Sequence, residues 1–194
     1  MPVRRTIAAT EGVYFIRFTC ASWILLFTLC HAFDLVYKWL DYLKAQKHYV
    51  IGYIIMPNHV HAVIALSNSG KGINIIVGNG KCFMAYELVR RLKQQNRILV
   101  LNELNGALNN TEKKEGKLYG VFEASFDWKK CKTMEFIEQK LNYMHWNPYK
   151  GNKLVNAPEE YVHSSAKFYI MGVQGGYPVT SFMELEDIDL TGTL

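Results

Sequence analysis

The sequence predicts an α+β fold in which helices cover one antiparallel sheet. Apolar residues recur at three- and four-residue steps in some segments, whereas others are short stretches rich in aromatic and β-branched residues. A length of 194 residues with 49% hydrophobic residues suits a single buried core. Because only 20% of the residues are charged and 13% are aromatic, the composition excludes an intrinsically disordered chain.

The order of the predicted elements narrows the fold class. Predicted strands span 13–20, 49–56, 59–66 and about 119–126, and predicted helices span 32–46, 82–97 and 133–147. Thr133 is a typical N-cap residue, and Pro148 disfavours helical geometry in the residue before it. We expect loops at glycines 70, 72, 78 and 80 and over the polar stretch 102–117. Strand, helix, strand, strand, helix, strand is the order of a ferredoxin-like antiparallel sheet with its helices on one face.

Charge is distributed unevenly along the chain. The total of 22 Lys and Arg against 17 Asp and Glu gives a net charge of +5, while the last stretch is acidic, with Glu184, Glu186, Asp187 and Asp189. The rest of the chain is therefore more basic than the total indicates, which is compatible with a polyanionic partner. We expect one domain over residues 1–172 and an acidic C-terminal tail over 173–194.

The cysteines and the longest apolar run predict a cytoplasmic protein without a membrane partner. The four cysteines form no CxxC pair and have no zinc-finger spacing, so we expect reduced thiols. The run Trp23–Leu29 follows several arginines as in a signal peptide, but it is far shorter than the ~20 residues of a membrane-spanning helix. We expect it to be a strand and connector of the core.

Two short motifs carry the candidate chemistry. His59 and His61 lie on a predicted strand, so their imidazoles project from the same face and can hold one divalent metal ion, although such pairs are also common as ordinary sheet residues. Tyr143 and Asn147 are four residues apart on a predicted helix and share a face. Taken without the histidines, Tyr143 is better explained as a partly buried aromatic residue and Asn147 as a helix C-cap before Pro148. A tyrosine, an amide and a two-histidine metal site together favour phosphoryl transfer, because a bound cation lowers the barrier to attack by a phenol.

These motifs resemble those of a known family. The segment Tyr53–His61, YIIMPNHVH, is similar to the histidine strand of the IS200-like single-tyrosine transposases, also called Y1 or HUH enzymes. The segments Gln139–Pro148, Ala157–Tyr161 and His163–Tyr169 resemble the REP-associated tyrosine transposase branch, so the resemblance covers about residues 10–172. It implies an HUH-endonuclease fold, a catalytic domain over 1–172, and a Mg²⁺ or Mn²⁺ ion bound by His59, His61 and Asn147.

The resemblance also implies a reaction and a partner. Tyr143 would attack a phosphate of single-stranded DNA, forming a 5′-phosphotyrosine link and a free 3′-hydroxyl, and the reverse attack would rejoin strands without ATP. The partner would be single-stranded DNA with hairpin, or palindromic, elements, bound by a monomer or by a homodimer that exchanges tyrosine helices. The candidate DNA-binding residues are the basic side chains of the second predicted helix and a lysine one turn before the tyrosine: Arg90, Arg91, Lys93, Arg97 and Lys140. The first four are equally compatible with an ordinary solvated helix surface.

Two other functions remain open at this stage. One is a domesticated protein that binds DNA hairpins without transposition activity. The other is a metal-dependent hydrolase that uses a bound water, which would require further Asp or Glu ligands, and residues 49–66 contain none.

Overall fold

A four-stranded antiparallel sheet forms the centre of the molecule. The computed structural model describes residues 10–68, 70–150, 153–188 and 190. The strands are β1 (Gly12–Thr19), β2 (Tyr49–Met56), β3 (His59–Leu66) and β4 (Asp127–Cys131), and they lie in the order β2-β3-β1-β4. Each neighbouring pair is antiparallel. This is the strand order of a ferredoxin-like sheet, so the predicted α+β fold class is confirmed.

The described part of the chain also contains seven helices and three 3₁₀ turns. The helices are α1 (Leu26–Leu29), α2 (Phe33–Ala45), α3 (Ile73–Gln94), α4 (Ile98–Gly106), α5 (Asn110–Lys114), α6 (Met134–His145) and α7 (Ala166–Met171). The 3₁₀ turns span Ala21–Trp23, Pro158–Glu160 and Phe182–Asp187. None of the described helices is long and apolar enough to cross a membrane.

The sheet separates two hydrophobic clusters. Tyr14, Ile16 and Phe18 of β1 point to the face covered by α2 and α3. Val13 and Phe15 point to the opposite face, where they pack with the apolar side of α6. The two helices of the ferredoxin-like unit therefore share one face as predicted, while the additional helix α6 occupies the other face. Alternation along β1 is the physical basis of this division.

Three segments differ from the sequence predictions. Helix α3 begins at Ile73, so the glycines expected to mark a loop at 78 and 80 are helical. The expected loop 102–117 contains part of α4 and all of α5, which has a capping box formed by Asn109 and Glu112. The fourth strand lies at Asp127–Cys131 rather than at 119–126, where only Phe122 forms a single bridge, to Cys20.

The apolar run after β1 and the segment beyond Gly172 also differ from their predictions. The apolar run after β1 forms a 3₁₀ turn and α1 rather than a strand. Beyond Gly172, Tyr177 and Val179 are buried against the α2 side of the sheet, and the backbone N–H of Thr180 donates to the Val50 carbonyl at 3.0 Å. The first part of the predicted tail thus packs on the domain. Of the predicted ranges, residues 1–9 and 191–194 and the predicted acidic residue Asp189 lie outside the described residues.

A close approach between α2 and α3 explains why α3 contains a glycine that ordinary helix propensity would disfavour. A Cβ atom at Gly80 would lie 2.3 Å from the indole Nε1 of Trp39, and Trp39 is buried in the core between the helices. At Gly78, two residues away in the same helix, an added Cβ would meet nothing within 4 Å.

We predict opposite effects of alanine at these two glycines. Gly80→Ala should lower the free energy of unfolding by about 1–3 kcal/mol because the methyl group overpacks the contact with Trp39. Gly78→Ala should raise it by about 0.5–1 kcal/mol because alanine restricts the unfolded chain and favours the helix. Urea denaturation of the two variants measures both changes, and equal effects would show that the α2–α3 contact does not constrain the helix.

Candidate active site

The two histidines of β3 lie side by side on the sheet face that α6 covers. Their ring centroids are 4.9 Å apart, and the rings are tilted by 54°. Both are buried, and His61 retains only 1% of its exposure because the ring packs edge-on against Phe15 at 5.5 Å. The shared face agrees with strand alternation. Because both rings are buried, the site is less open to solvent than an exposed metal centre would be.

Both imidazoles are neutral at pH 7. Burial lowers the pKa of His59 to about 4, with a smaller contribution from the positive charge of Arg17. Burial also holds the pKa of His61 well below its usual value, and the neighbouring His59 and Arg17 act in the same direction. A neutral imidazole has a lone pair available for a metal ion, whereas a protonated one does not.

Hydrogen bonding selects which nitrogen of His59 is available. The side-chain oxygen of Asn58 lies 2.7 Å from His59 Nδ1, and the Asn58 amide nitrogen donates to the Trp23 carbonyl at 3.1 Å. Because the amide nitrogen is used as a donor, the oxygen must accept from Nδ1–H, which leaves Nε2 with a free lone pair. A partner on the second ring nitrogen that orients the first is typical of histidine ligands.

The other histidine has no partner at all among the described residues. Both ring nitrogens of His61 are buried and make no hydrogen bond there. Buried polar atoms without partners are rare and usually indicate a ligand or solvent molecule. The two neutral imidazoles, whose ring centroids are 4.9 Å apart, both have nitrogens available as ligands. The pair therefore fits a divalent metal ion. The described residues contain no cluster of three or more His, Cys, Asp or Glu, so further ligands would have to be amides, water or substrate oxygens.

Tyr143 lies beside this pair and belongs to the same chain. Its ring centroid is 5.7 Å from that of His61 and 6.1 Å from that of Phe15, and its side chain is 50% exposed. Thr133 is the N-cap of α6, as predicted, and its hydroxyl accepts from the Phe136 N–H at 3.2 Å. The arrangement gives the phenol access to solvent on one side and to the histidines on the other.

A glycine in β2 allows α6 to lie close enough for this arrangement. The pairing of β2 with β3 shifts register between Val50 and Gly52. A Cβ at Gly52 would lie 2.3 Å from Leu141 Cδ2 and 2.7 Å from Met144 Cε, both on the buried side of α6. A second contact fixes the end of the helix, where His145 Nε2 lies 2.8 Å from the Ser165 hydroxyl.

Asn147 caps the tyrosine helix. Its amide nitrogen donates to the carbonyls of Tyr143 and Met144, both at 3.1 Å. The alternative interpretation of Asn147 as a C-cap is therefore fulfilled. Since the nitrogen is occupied by the helix end, Oδ1 is the atom left for a ligand, and it accepts no hydrogen bond from a described residue. Metal binding by Asn147 stays a prediction.

Lys140 lies in the same aromatic environment as the tyrosine. Its ammonium is 5.9 Å from the Tyr143 ring centroid and also lies over Phe15 and Phe136, at 5.3 and 4.9 Å. This position places a positive charge next to the phenol, as its spacing one helical turn before Tyr143 indicates. The geometry is compatible both with stabilising a phenolate and with contacting a phosphate.

The basic residues of α3 occupy a different part of the molecule. Helix α3 packs on the sheet face opposite to His59 and His61. Arg91 does not point outward as expected: its guanidinium donates twice to the Asp34 carboxylate, at 2.8 and 2.7 Å, and joins α3 to α2. Arg90 forms an ion pair with Glu87 at 2.8 Å. Lys93 of α3 and Arg97, which lies between α3 and α4, are both exposed.

Two residues at the site were not among the sequence-based candidates. Arg17 pairs with His61 in the β1–β3 register, and its guanidinium lies over the Trp23 ring with Cζ 5.3 Å from the centroid. Trp23 in turn contacts His59 edge-on at 5.9 Å. The available signal was a single arginine in an otherwise apolar strand, since a charge is rarely buried without a purpose. Trp23 gave no signal, because its position depends on the turn after β1.

Comparison with solved structures supports the fold. The chain is similar to a REP-associated tyrosine transposase solved bound to a REP hairpin, with a TM-score of 0.57 and 13% identity over 100% of this chain and 99% of that one. A candidate transposase from Deinococcus radiodurans R1 is similar with a TM-score of 0.43 and 14% identity, over 74% of this chain and 95% of that one. At these identities the first likeness shows a shared fold, and no argument rests on the second. No protein-family model matches the sequence, and no curated protein matches it either.

We predict that the low pKa of His59 makes the metal-free protein acid-sensitive. Below pH ~6.5 the unfolded chain protonates this histidine, while the folded chain keeps it neutral down to pH about 4. The unfolded state then binds more protons, so stability falls as the pH is lowered through this window, with a slope of up to about 1.4 kcal/mol per pH unit from this residue.

His59→Gln should reduce that slope, as measured by urea denaturation in EDTA at several pH values. His31→Asn, at an exposed histidine, serves as the control and should retain the wild-type slope. An unchanged slope in His59→Gln would mean that the imidazole is as easily protonated in the folded state as in the unfolded one.

Proposed function

We propose that this protein is a transposase-like DNA strand transferase that cleaves and rejoins hairpin-bearing single-stranded DNA through Tyr143. The observation that carries the proposal is the convergence of Tyr143 with His59 and His61 within one chain, where the His61 and Tyr143 rings lie 5.7 Å apart. The shared fold with a tyrosine transposase that binds a REP hairpin supports the same proposal at the level of architecture.

In the cleavage step, the Tyr143 oxygen attacks the phosphorus of a DNA phosphodiester. A bond forms between the phenolic oxygen and phosphorus, and the bond from phosphorus to the 3′-oxygen breaks. The phenolic proton passes to solvent, and the departing 3′-oxygen takes up a proton, leaving a 5′-phosphotyrosine link and a free 3′-hydroxyl. In rejoining, a DNA 3′-hydroxyl attacks the same phosphorus and releases the phenol, so the number of phosphodiester bonds is conserved and no ATP is required.

The chain supplies three elements of this reaction. His59, His61 and the Asn147 oxygen would hold a Mg²⁺ or Mn²⁺ ion, which when bound supplies positive charge to the attacked phosphate. Asn58 fixes the ring of His59 in the orientation that leaves Nε2 free. Lys140 places a cation near the phenol that becomes the leaving group during rejoining, which favours its negatively charged form.

The position of Tyr143 indicates whether the proposed reaction would need one copy of the protein or two. Because the tyrosine and the histidines meet within one chain, a monomer contains all of the proposed catalytic groups. An exchange of tyrosine helices between two copies is not needed to complete the site. A metal-dependent hydrolase is less well supported, because the described residues provide no additional carboxylate cluster beside the histidines.

We predict that Tyr143→Phe abolishes covalent attachment to DNA and leaves hairpin binding nearly unchanged, because only the nucleophilic oxygen is removed. An oligonucleotide carrying a hairpin and a label on the 3′ side of the cleavage point is incubated with Mn²⁺ and run on a denaturing gel. Tyr149→Phe, at a half-exposed tyrosine beyond the same helix, is the matched control and should still form the labelled protein band. A band that persists in Tyr143→Phe would show that another residue is the nucleophile.

We also predict that Lys93 and Arg97 contribute to hairpin binding. The double variant Lys93→Ala/Arg97→Ala should reduce the slope of log K against log[salt] by about 1.4–1.8, since each phosphate contact contributes about 0.7–0.9. Arg91 is left intact because its loss would break the ion pair with Asp34 and destabilise the fold.

The control for this experiment is Lys113→Ala/Lys114→Ala on α5, which removes the same charge elsewhere. Titration of a labelled hairpin at several salt concentrations gives the three slopes. A reduced slope in the α5 variant with no change in the α3 variant would place the DNA on α5 instead.

A further inference from the structure

Trp23 is presented to solvent by a backbone conformation that tryptophan rarely adopts. Its φ is 57°, that of Ser22 before it is 51°, and the indole is 55% exposed. The turn is maintained by hydrogen bonds, from the Trp23 N–H to the Cys20 carbonyl at 3.2 Å and from the Asn58 amide to the Trp23 carbonyl at 3.1 Å. Left-handed conformations of bulky residues are unfavourable and persist only where the surrounding structure imposes them, which occurs most often at functional sites.

Arg17 lies next to this indole, and its guanidinium forms no hydrogen bond with the residues that the structure describes. The guanidinium lies over the ring, and its nearest carboxylate is that of Asp127, an exposed side chain 4.0 Å away. Nε of Arg17 is buried and has no partner in the described part of the chain. A guanidinium has five N–H donors in a fork that matches phosphate geometry. The long, exposed ion pair with Asp127 leaves most of these donors available to an anionic group.

Both residues adjoin the proposed catalytic centre. Arg17 lies opposite His61 in the strand register, and Trp23 contacts His59 edge-on at 5.9 Å. The guanidinium of Arg17 and the exposed ring of Trp23 therefore lie next to each other and next to the histidine pair. A nucleotide combines the two features that such a site would recognise, a phosphate and a flat aromatic base.

We propose that Trp23 and Arg17 form a subsite for one unpaired nucleotide next to the scissile phosphate, with the base stacked on the indole and the phosphate bound by the guanidinium. This inference rests on the proposed function for its catalytic meaning. An apolar protein partner is less well matched, because the patch contains a cation whose ion-pair partner, Asp127, is itself exposed to solvent. The subsite gives the enzyme a reason to act on single strands, since a base held in a duplex is not available for stacking on Trp23.

The first test measures stacking directly. An oligo(dT) strand of about twelve nucleotides with a central 2-aminopurine is titrated against the full-length protein in EDTA. Wild type should quench the 2-aminopurine fluorescence, and Trp23→Ala should lose the quenching and bind about tenfold to a hundredfold more weakly. Trp23→Phe retains an aromatic face and should bind nearly as wild type does. Tyr42→Ala, at an exposed aromatic on α2, is the matched control and should not change binding.

The second test addresses the phosphate contact. Arg17→Gln should reduce the salt slope of oligo(dT) binding by about 0.7, the contribution of one phosphate in a single strand, whereas Arg17→Lys should keep most of it. Circular dichroism of each variant verifies that the fold is intact. Binding by Trp23→Ala and Arg17→Gln that equals wild type, or no binding of oligo(dT) by wild type, would overturn the subsite.

Parallel gels with Mn²⁺ separate this inference from the proposed function. Wild type that forms a covalent adduct while Trp23→Ala binds normally would refute the subsite and leave the strand-transfer function standing. Wild type whose binding depends on Trp23 but which forms no adduct would support the subsite and refute the proposed chemistry. Arg17→Lys should restore the adduct that Arg17→Gln weakens if the guanidinium positions the scissile phosphate.

Discussion

The packing of α6 against the irregular part of β2 is the contact on which the candidate site depends. Gly52 has no side chain to separate the helix from the sheet, so Leu141 and Met144 reach the backbone of the strand. Leu141 and Met144 lie close to Tyr143 on the helix surface. Their burial against the strand therefore fixes the rotation of α6 and turns the phenol toward the histidines of β3. A side chain at position 52 would push α6 away from the sheet and move Tyr143 away from His59 and His61.

The two faces of the sheet are covered by helices to different extents, and they bury different kinds of residue. One face is covered along its length by α2 and α3, which meet closely at Gly80 and Trp39 and form the larger cluster. The other face is covered by α6 over part of its area, and there a buried polar pair replaces the apolar residues of the core. The larger cluster contains most of the buried apolar residues, whereas the second face retains two nitrogens of His61 that have no partner among the described residues and cost free energy unless a ligand satisfies them.

Features that a short stretch of sequence determines could be predicted, whereas features that depend on contacts between distant residues could not. Strand alternation predicted the shared face of His59 and His61, and the apolar stripe of α6 predicted that Tyr143 faces away from it. The N-cap at Thr133 is equally local. The role of Gly80 depends on a contact with α2, so its helical position could not be read from propensity. The ion pair of Arg91 with Asp34 likewise joins residues far apart in sequence, and exposure on a helical wheel gave the wrong orientation.

Arg17 connects the chemistry of the site to its architecture. Burial is the main cause of the low pKa of both imidazoles, and the charge of Arg17 acts in the same direction, so the cation that would attract a phosphate also helps to keep these candidate metal ligands unprotonated. A carboxylate in that position would have the opposite effect on both, repelling DNA and raising the pKa values of the histidines. The exposed indole of Trp23 shields the guanidinium on one side without neutralising it. A neutral aromatic neighbour thus helps to hold the arginine in place and preserves its positive charge.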